Sequence, residues 1–243
     1  MSKVSIIIPT YNEESCIEEV LERVERLNPS PFEVLLVDGG STDCTREKTE
    51  GFNLKFLQSP QLGRAAQMHF GALEASGNTL CFLHADTFPP TNLVEIVSQT
   101  LAKEDVVLAG FRSVMRGVRN QRFTTFHNRI KTYYAPFIYN PYRTTFKGLR
   151  LLFGDQLIFC KKEDYQRSGG FNCEMQIMEE ADLCIKMNRL GRIEQINHKV
   201  YSSDRRVAKW GAFKANFIFI MIATLWALGV PNKKLARFYT HIR

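Results

Sequence analysis

The chain has 243 residues, 44% hydrophobic and 23% charged. Proportions this close to globular averages exclude a collagen, a coiled coil and a wholly disordered chain, and at this length roughly 70% or more of the unfolded surface is buried without staples. Thirty-two Lys and Arg against 25 Asp and Glu leave a net charge of +7, which suits a phosphate-bearing ligand or an anionic membrane and is too small to demand nucleic acid.

Six cysteines, at positions 16, 44, 81, 160, 173 and 184, form no C-x-x-C pair. Several lie in apolar runs such as Leu80-Cys81-Phe82, so buried free thiols in a reducing compartment are expected rather than disulfides or zinc ligands. The N-terminal apolar stretch ends at Pro9 with no cleavage site after it and is too short for a signal peptide.

Residues 4–8 form a β-branched run stopped by Pro9, which predicts a buried strand. Ile17, Val20, Leu21, Val24 and Leu27 follow at helical spacing, and Asn28-Pro29 ends that helix. A second strand is predicted over 33–37, running into Asp38-Gly39-Gly40, after which Ser41-Thr42-Asp43 offers the capped start of a helix. A third strand over 54–57, a helix over 63–75 with Gly77 past its end, and a fourth strand over 79–83 follow. Then come a helix over 91–101 and a strand over 106–111. This alternation predicts a parallel sheet with right-handed crossovers, covered on both faces. Ligands of such sheets bind beyond the carboxyl ends of the strands, where the polar clusters 10–14, 38–43 and 84–86 fall.

The second half is less regular. Residues 115–150 mix Arg, Tyr, Phe and Pro without a clean period. A strand is predicted over 155–161, a helical turn over 163–168, a tight turn at Gly169-Gly170-Phe171, a helix over 179–190 closed by Gly191, and a strand over 192–197. Residues 217–230 are an unbroken apolar stretch flanked by basic residues. As a helix it would span about 21 Å at ~1.5 Å per residue, short of a bilayer's ~30 Å hydrocarbon core. Only Thr224 breaks the run, which predicts burial against protein rather than a peripheral helix.

The loop after the first strand, Pro9-Thr10-Tyr11-Asn12-Glu13-Glu14, contains no glycine, so the G-x-G-x-x-G of a dinucleotide-binding fold is absent, as is a Walker loop. Phosphates must be held by other means, such as a metal ion and arginines. The strand that leads into Pro9-Thr10-Tyr11-Asn12-Glu13, together with Val37-Asp38-Gly39-Gly40-Ser41-Thr42-Asp43, Leu83-His84-Ala85-Asp86, Gly154-Asp155-Gln156, Gly169-Gly170-Phe171 and Met178-Glu179-Glu180, resembles the family 2 nucleotide-sugar glycosyltransferases over most of residues 1–200. His84-Ala85-Asp86 and the tail from Asp204-Arg205-Arg206 to Gly229-Val230-Pro231 look like a small bacterial branch associated with selenium or arsenosugar gene clusters.

The resemblance implies a GT-A fold: a Rossmann-like, mostly parallel sheet flanked by helices, followed by a C-terminal helical tail. Residues 1–200 would form the transferase domain, with a nucleotide-binding half over 1–103 and an acceptor and catalytic half over 104–200, and 201–243 the basic, apolar tail. Pro9, Thr10 and Tyr11 would line the base pocket and Glu13 would reach the ribose. Asp38 would accept the base N–H edge or a ribose hydroxyl; the bland alternative is an aspartate capping its own Asp-Gly turn. Arg64 would contact the base or the pyrophosphate, or be a solvated surface arginine. Asp86 would ligate Mn²⁺ or Mg²⁺, with His84 standing where the family has the first Asp of Asp-x-Asp and either joining the metal or serving as a strand-end histidine. Glu180 falls at the position of the family's general base, with Glu179 and Asp182 as rivals; acids also suit a first helical turn for the dipole alone. Asp155 and Gln156 would hydrogen-bond sugar hydroxyls, and Arg205 and Arg206 would close over the diphosphate or bind anionic lipid.

The expected chemistry is inverting single displacement from a UDP-, GDP- or dTDP-sugar to an acceptor hydroxyl, with a carboxylate taking the proton and a divalent cation stabilising the leaving diphosphate. A non-catalytic nucleotide-sugar-binding module and a membrane-interaction protein are the competing classes. The expected setting is cytoplasmic, with weak association at the inner face of an anionic membrane and a homodimer through the apolar helix as open alternatives for the tail.

Overall fold

In a computed structural model, residues 2–116, 122–204 and 211–239 are described. Strand β1 (Val4–Thr10) is buried along its whole length. Its side chains alternate between two hydrophobic layers: Ile6 and Ile8 join Ile17, Val20, Leu21 and Val24 on one face, while Ile7 points to Leu35, Val37, Met68 and Phe82 on the other. A strand buried on both faces reads as continuous apolar sequence for this reason.

β1 pairs in parallel with β2 (Glu33–Asp38), in a register that sets Thr10 beside Asp38, and on its other side with β4 (Thr79–Phe82). β3 (Lys55–Gln58) lies outside β2. Beyond β4 the sheet continues through β7 (Ile158–Lys161), β6 (Val106–Arg116), β8 (Arg192–Ser203) and the two-residue β5 (Thr87–Phe88), giving the order β3-β2-β1-β4-β7-β6-β8-β5. β7 runs antiparallel to both β4 and β6, and β5 antiparallel to β8, whereas β6 and β8 are parallel. The sheet is therefore mixed, with parallel pairing throughout its first half.

Helix α1 (Ile17–Glu25) buries Ile17, Val20, Leu21 and Val24, and α3 (Leu93–Leu101) packs on the same face through Leu93, Ile96 and Val97. Helix α2 (Arg64–Glu74) covers the opposite face. There Gly71 allows close approach: a Cβ on it would lie 2.6 Å from Ile7 Cγ2 and 3.0 Å from Val37 Cγ2.

The helix expected after Ser41-Thr42-Asp43 is not formed. A loop with one 3₁₀ turn, Glu47–Thr49, stands there. Its polar side chains bond to backbone instead: Asp43 accepts from the Thr45 and Glu14 amides, Asn12 from the Thr42 amide and Glu14 from the Cys44 amide. Side chains of this kind offer the backbone an alternative to the helical ladder.

In the second half, residues with no clean sequence period form α4 (Arg122–Tyr139), which carries Pro136 inside it, and α5 (Pro141–Phe146). A single turn at Gly154–Gln156 precedes β7, and α6 (Lys162–Ser168) and α7 (Glu179–Met187) follow. The apolar tail forms α8 (Ala212–Ala227), and after Pro231 comes α9 (Asn232–Tyr239). α8 packs on α4, with Trp226 stacked on Tyr139 at 5.4 Å between ring centroids. Burial is one-sided: Ala215, Asn216 and Ile222 are buried while Phe217, Ile220 and Leu228 are exposed. Among the described residues no helix is long and apolar enough to cross a membrane. All six cysteines are free; Cys81, Cys160 and Cys184 are buried, Cys16 and Cys173 half-buried and Cys44 exposed. Burial pushes the Cys184 thiol up to about 12.

Gly71→Ala tests the contact of α2 with the sheet. Overpacking of a close-packed core costs about 1–3 kcal/mol, against a helix-propensity gain of about 1 kcal/mol. A lowered urea midpoint with an unchanged m-value is expected.

Candidate active site

Polar residues gather at the strand ends in two groups. The first surrounds the ends of β1 and β2. Asp38 is buried, and its Oδ2 accepts the amides of Gly40 and Ser41 at 2.8 and 2.9 Å while Oδ1 accepts the hydroxyls of Ser41 and Thr10. In this state its carboxylate organises its own turn, the geometry of the bland alternative. Tyr11 is exposed just beyond Pro9 and Thr10. The Glu13 amide bonds the Thr45 hydroxyl, and its carbonyl accepts from the first turn of α1. Gln67 ties this group to α2: its side-chain amide donates to the carbonyls of Thr10 and Val37 at 2.6 and 2.8 Å. Gly39 leaves room for that amide, since a Cβ there would lie 3.1 Å from it.

The second group lines a cavity of about 190 Å³ that includes Arg64, His84, Asp86, Asp155 and Glu180. Four elements deliver these side chains. Arg64 opens α2, His84 and Asp86 follow β4, Asp155 lies in the turn before β7, and Glu179 and Glu180 open α7. Glu179 is 0% and Glu180 3% exposed. Two carboxylates removed from water each cost several kcal/mol unless compensated. Arg64 supplies the compensation, forming a short charged contact with Glu179 and lying 3.5 Å from Glu180 Oε1. The N-terminal end of α7 adds a favourable dipole.

Burial pushes both carboxyls up. At Glu179 burial prevails, aided by the charge of Glu180, and the group is held above the usual carboxylate range despite Arg64. At Glu180 the charge of Arg64 and then the contact with His84 outweigh burial and hold it low. Glu180 Oε1 lies 3.6 Å from His84 Nε2, and both atoms are buried without a hydrogen-bond partner. Gly154 makes this proximity possible, because a Cβ on it would collide with the His84 ring and with Glu180 Oε1. Met178, at the cavity wall, holds φ at +62°, an uncommon conformation for a residue with a side chain that sets the angle at which α7 starts.

Asp182 and Gln156 do not line the cavity. Asp182 pairs with Lys186 along α7 at 2.8 Å. Gln156 is fully buried, donates to the Thr132 hydroxyl and accepts from the Phe153 amide. Arg205 and Arg206 lie outside the described residues. The opposite wall was not foreseen residue by residue. Lys131 stands 3.7 Å from Asp155 and over the Phe153 ring, and His127 bonds the Tyr134 hydroxyl at 2.5 Å. Phe219, Ile222 and Ala223 of α8 close that side. The one sequence signal there is the i, i+4, i+7 spacing of His127, Lys131 and Tyr134.

Among the described residues no three His, Cys, Asp or Glu are grouped to hold a metal ion. Asp86 and His84 nevertheless share the cavity. A carboxylate oxygen and an imidazole with an unengaged buried nitrogen are donors a divalent ion accepts when substrate phosphates and water complete its shell.

A mixed sheet flanked by helices, with acids, an arginine and a histidine converging at its strand ends, has the architecture of the GT-A fold. The family described as glycosyl transferase family 2 matches residues 5–164, and the chain belongs to it. It is 34% identical to glycosyltransferase AglE of Haloferax volcanii over 137 residues, 51% of this chain and 45% of that protein. It is 30% identical to a dolichol-phosphate mannosyltransferase of Pyrococcus furiosus over 121 residues, 47% of this chain and 34% of that one. The chain thus spans less than half the length of these curated relatives. Among solved structures, a mannosyltransferase of Pyrobaculum calidifontis in complex with GDP-Man and Mn²⁺ superimposes with TM-score 0.71 at 20% identity, covering 99% of this chain and 70% of that one. Glucosyl-3-phosphoglycerate synthase of Mycobacterium tuberculosis with Mn²⁺, UDP and phosphoglyceric acid gives 0.62 at 20% identity, covering 95% and 80%.

Replacing Arg64 by Leu leaves two buried carboxylates uncompensated. A stability loss of about 3–5 kcal/mol at neutral pH is expected from denaturant unfolding, the range for breaking one side of a buried ion pair.

Proposed function

We propose that the chain moves a hexosyl unit from a nucleoside-diphosphate sugar to an acceptor hydroxyl, inverting the anomeric centre in a single displacement, with Glu180 as the general base. The observation that carries this reading is Glu180 itself: a buried carboxylate in the cavity wall, held low despite burial by the charge of Arg64 and then by the contact with His84. An acceptor hydroxyl donating to this carboxylate would place its proton within transfer distance. Glu179 is the less suited rival because it is spent on Arg64, and Asp182 because it is paired with Lys186 outside the cavity.

The donor would lie along the strand ends, its nucleoside toward Thr10, Tyr11 and Asp38 and its diphosphate toward Asp86 and Arg64. To bind a base or ribose, Asp38 must exchange its turn hydrogen bonds for ligand ones. Residues 1–103 would thus carry the nucleotide and 104–200 the acceptor and the base. Asp86 with His84 would hold a divalent cation, Mn²⁺ or Mg²⁺, which when bound neutralises charge on the departing diphosphate. Asp155, set by Lys131, would orient sugar hydroxyls. The names of similar proteins, mannosyl- and glucosyl-transferring among them, support a hexose donor. UDP, GDP and dTDP all remain candidate carriers.

Glu180→Gln should leave donor affinity unchanged and lower transfer by about 10²–10⁴-fold, while Asp182→Asn transfers at close to the parent rate. The reverse result would move the base to Asp182. Thermal shifts with UDP, GDP, dTDP and CMP, with and without Mn²⁺, identify the carrier, since a ligand of the folded state adds about 2.7 kcal/mol at a hundred times its Kd. In Asp86→Ala the Mn²⁺-dependent part of that shift should vanish with the unliganded melting temperature unchanged. A retained Mn²⁺ response would remove Asp86 from the site.

A further inference from the structure

The charge of this chain is divided unevenly. Residues 106–154 together with 205–243 contain seventeen Lys and Arg and no Asp or Glu, while the remainder carries fifteen Lys and Arg against twenty-five Asp and Glu. A molecule of net charge +7 is thus a segment pair of +17 attached to a body of −10. The described parts of those two segments include the neighbouring helices α4 and α8, with α5 and α9.

The same helices expose large apolar side chains. On α4, Phe126, Ile130 and Phe137 recur at i, i+4 and i+11, and Phe137 is 56% exposed. On α8, Phe217 and Ile220 are 69% and 43% exposed, and Phe146 at the end of α5 reaches 73%. Exposed lone hydrophobics need no explanation, but stripes on adjacent helices mark an interaction surface. Basic residues border them: Arg129, Lys147, Lys214, Lys233 and Lys234 are all exposed. The other faces of α4 and α8 line the cavity through His127, Lys131 and Tyr134 and through Phe219 and Ile222.

We propose that the outer faces of α4, α5 and α8 dock on the surface of an anionic lipid bilayer. An apolar stripe rimmed by Lys and Arg and free of acids matches both layers of such a surface, acyl boundary and negative headgroups. A protein partner would have to supply an apolar groove ringed with acids. A second copy of this chain would set like charges of this density against each other, which is repulsive. Short aromatic stripes insert to headgroup depth and no further, consistent with helices too short or too polar to span. This inference is independent of sugar transfer.

The test is co-sedimentation of the full chain with vesicles of neutral phospholipid alone and with about one third anionic phospholipid, at low and high salt. Binding to the anionic vesicles is expected, falling steeply with salt as screening shortens to a few Å. Phe137→Ser/Phe217→Ser and, separately, Lys233→Glu/Lys234→Glu should each weaken it by about tenfold or more, with melting temperatures unchanged because all four side chains are exposed. Absence of binding, or equal binding to neutral vesicles, overturns the proposal. So does full retention of binding in the serine variant, which would reveal a surface for soluble polyanions. A dimer seen by light scattering without lipid and dissolved by Phe217→Ser would make the stripe a contact between copies and likewise overturn it.

Discussion

The site depends on one buried electrostatic arrangement: two adjacent carboxylates at the start of α7 against a single guanidinium at the start of α2. Neither Glu179 nor Glu180 could stay in the interior alone, and Arg64 would have no reason to enter it. The two helices pack in the same hydrophobic layer, although 115 positions separate Arg64 from Glu179 in sequence. The contact leaves the two carboxylates unequal, Glu179 held above the usual carboxylate range and Glu180 below it. Glu179 makes the shorter contact with Arg64, while Glu180 lines the cavity beside His84. Gly154 completes the arrangement by occupying no volume where the His84 ring and Glu180 converge.

Much of the first half was legible from sequence because a strand buried on both faces and an amphipathic helix each have a strong period. Val4-Ser5-Ile6-Ile7-Ile8 and Ile17-Val20-Leu21-Val24 lie where that reasoning puts them. The loop after Asp38 misled it. Ser41, Thr42 and Asp43 are good helix starters, yet here the Ser41 and Asp43 side chains accept the Asn12 and Glu14 amides, and the Asn12 and Glu14 side chains accept those of Thr42 and Cys44. Helix α4 was invisible for a different reason. It exposes Phe126, Ile130 and Phe137 as well as burying its opposite side, so no polar face alternates with an apolar one and no helical period emerges. Among the residues that line the cavity, His84 and Asp86 stand out in sequence by their position after a strand. Lys131 and His127 carry only the i, i+4, i+7 spacing they share with Tyr134, and Gln67 carries no mark until the neighbouring elements are in place.

The two polar groups at the strand ends differ in readiness. Around Glu180 there are unengaged buried atoms and a cavity. Around Asp38 the hydrogen bonds are closed on themselves, with Gln67 fastening the ends of β1 and β2 from below. A ligand reaching the first group must compete with an existing turn, whereas a ligand reaching the second meets an open demand for hydrogen bonds.

The order of the sheet also governs when the cleft is made. Strand β8 pairs with β6 and with β5, whose residues Thr87 and Phe88 wait for Ser202 and Tyr201, over a hundred positions along the chain. Such distant pairings carry a large loop-closure entropy and delay folding. Ser202 and Ser203 line the cavity, as do Phe219, Ile222 and Ala223 from still further along. As the polypeptide leaves the ribosome, the parallel half around β1 can assemble early, but the wall of the cleft cannot. Its apolar lining stays exposed to the cell until Phe219, Ile222 and Ala223 have emerged, an interval in which a nascent chain of this topology is open to aggregation.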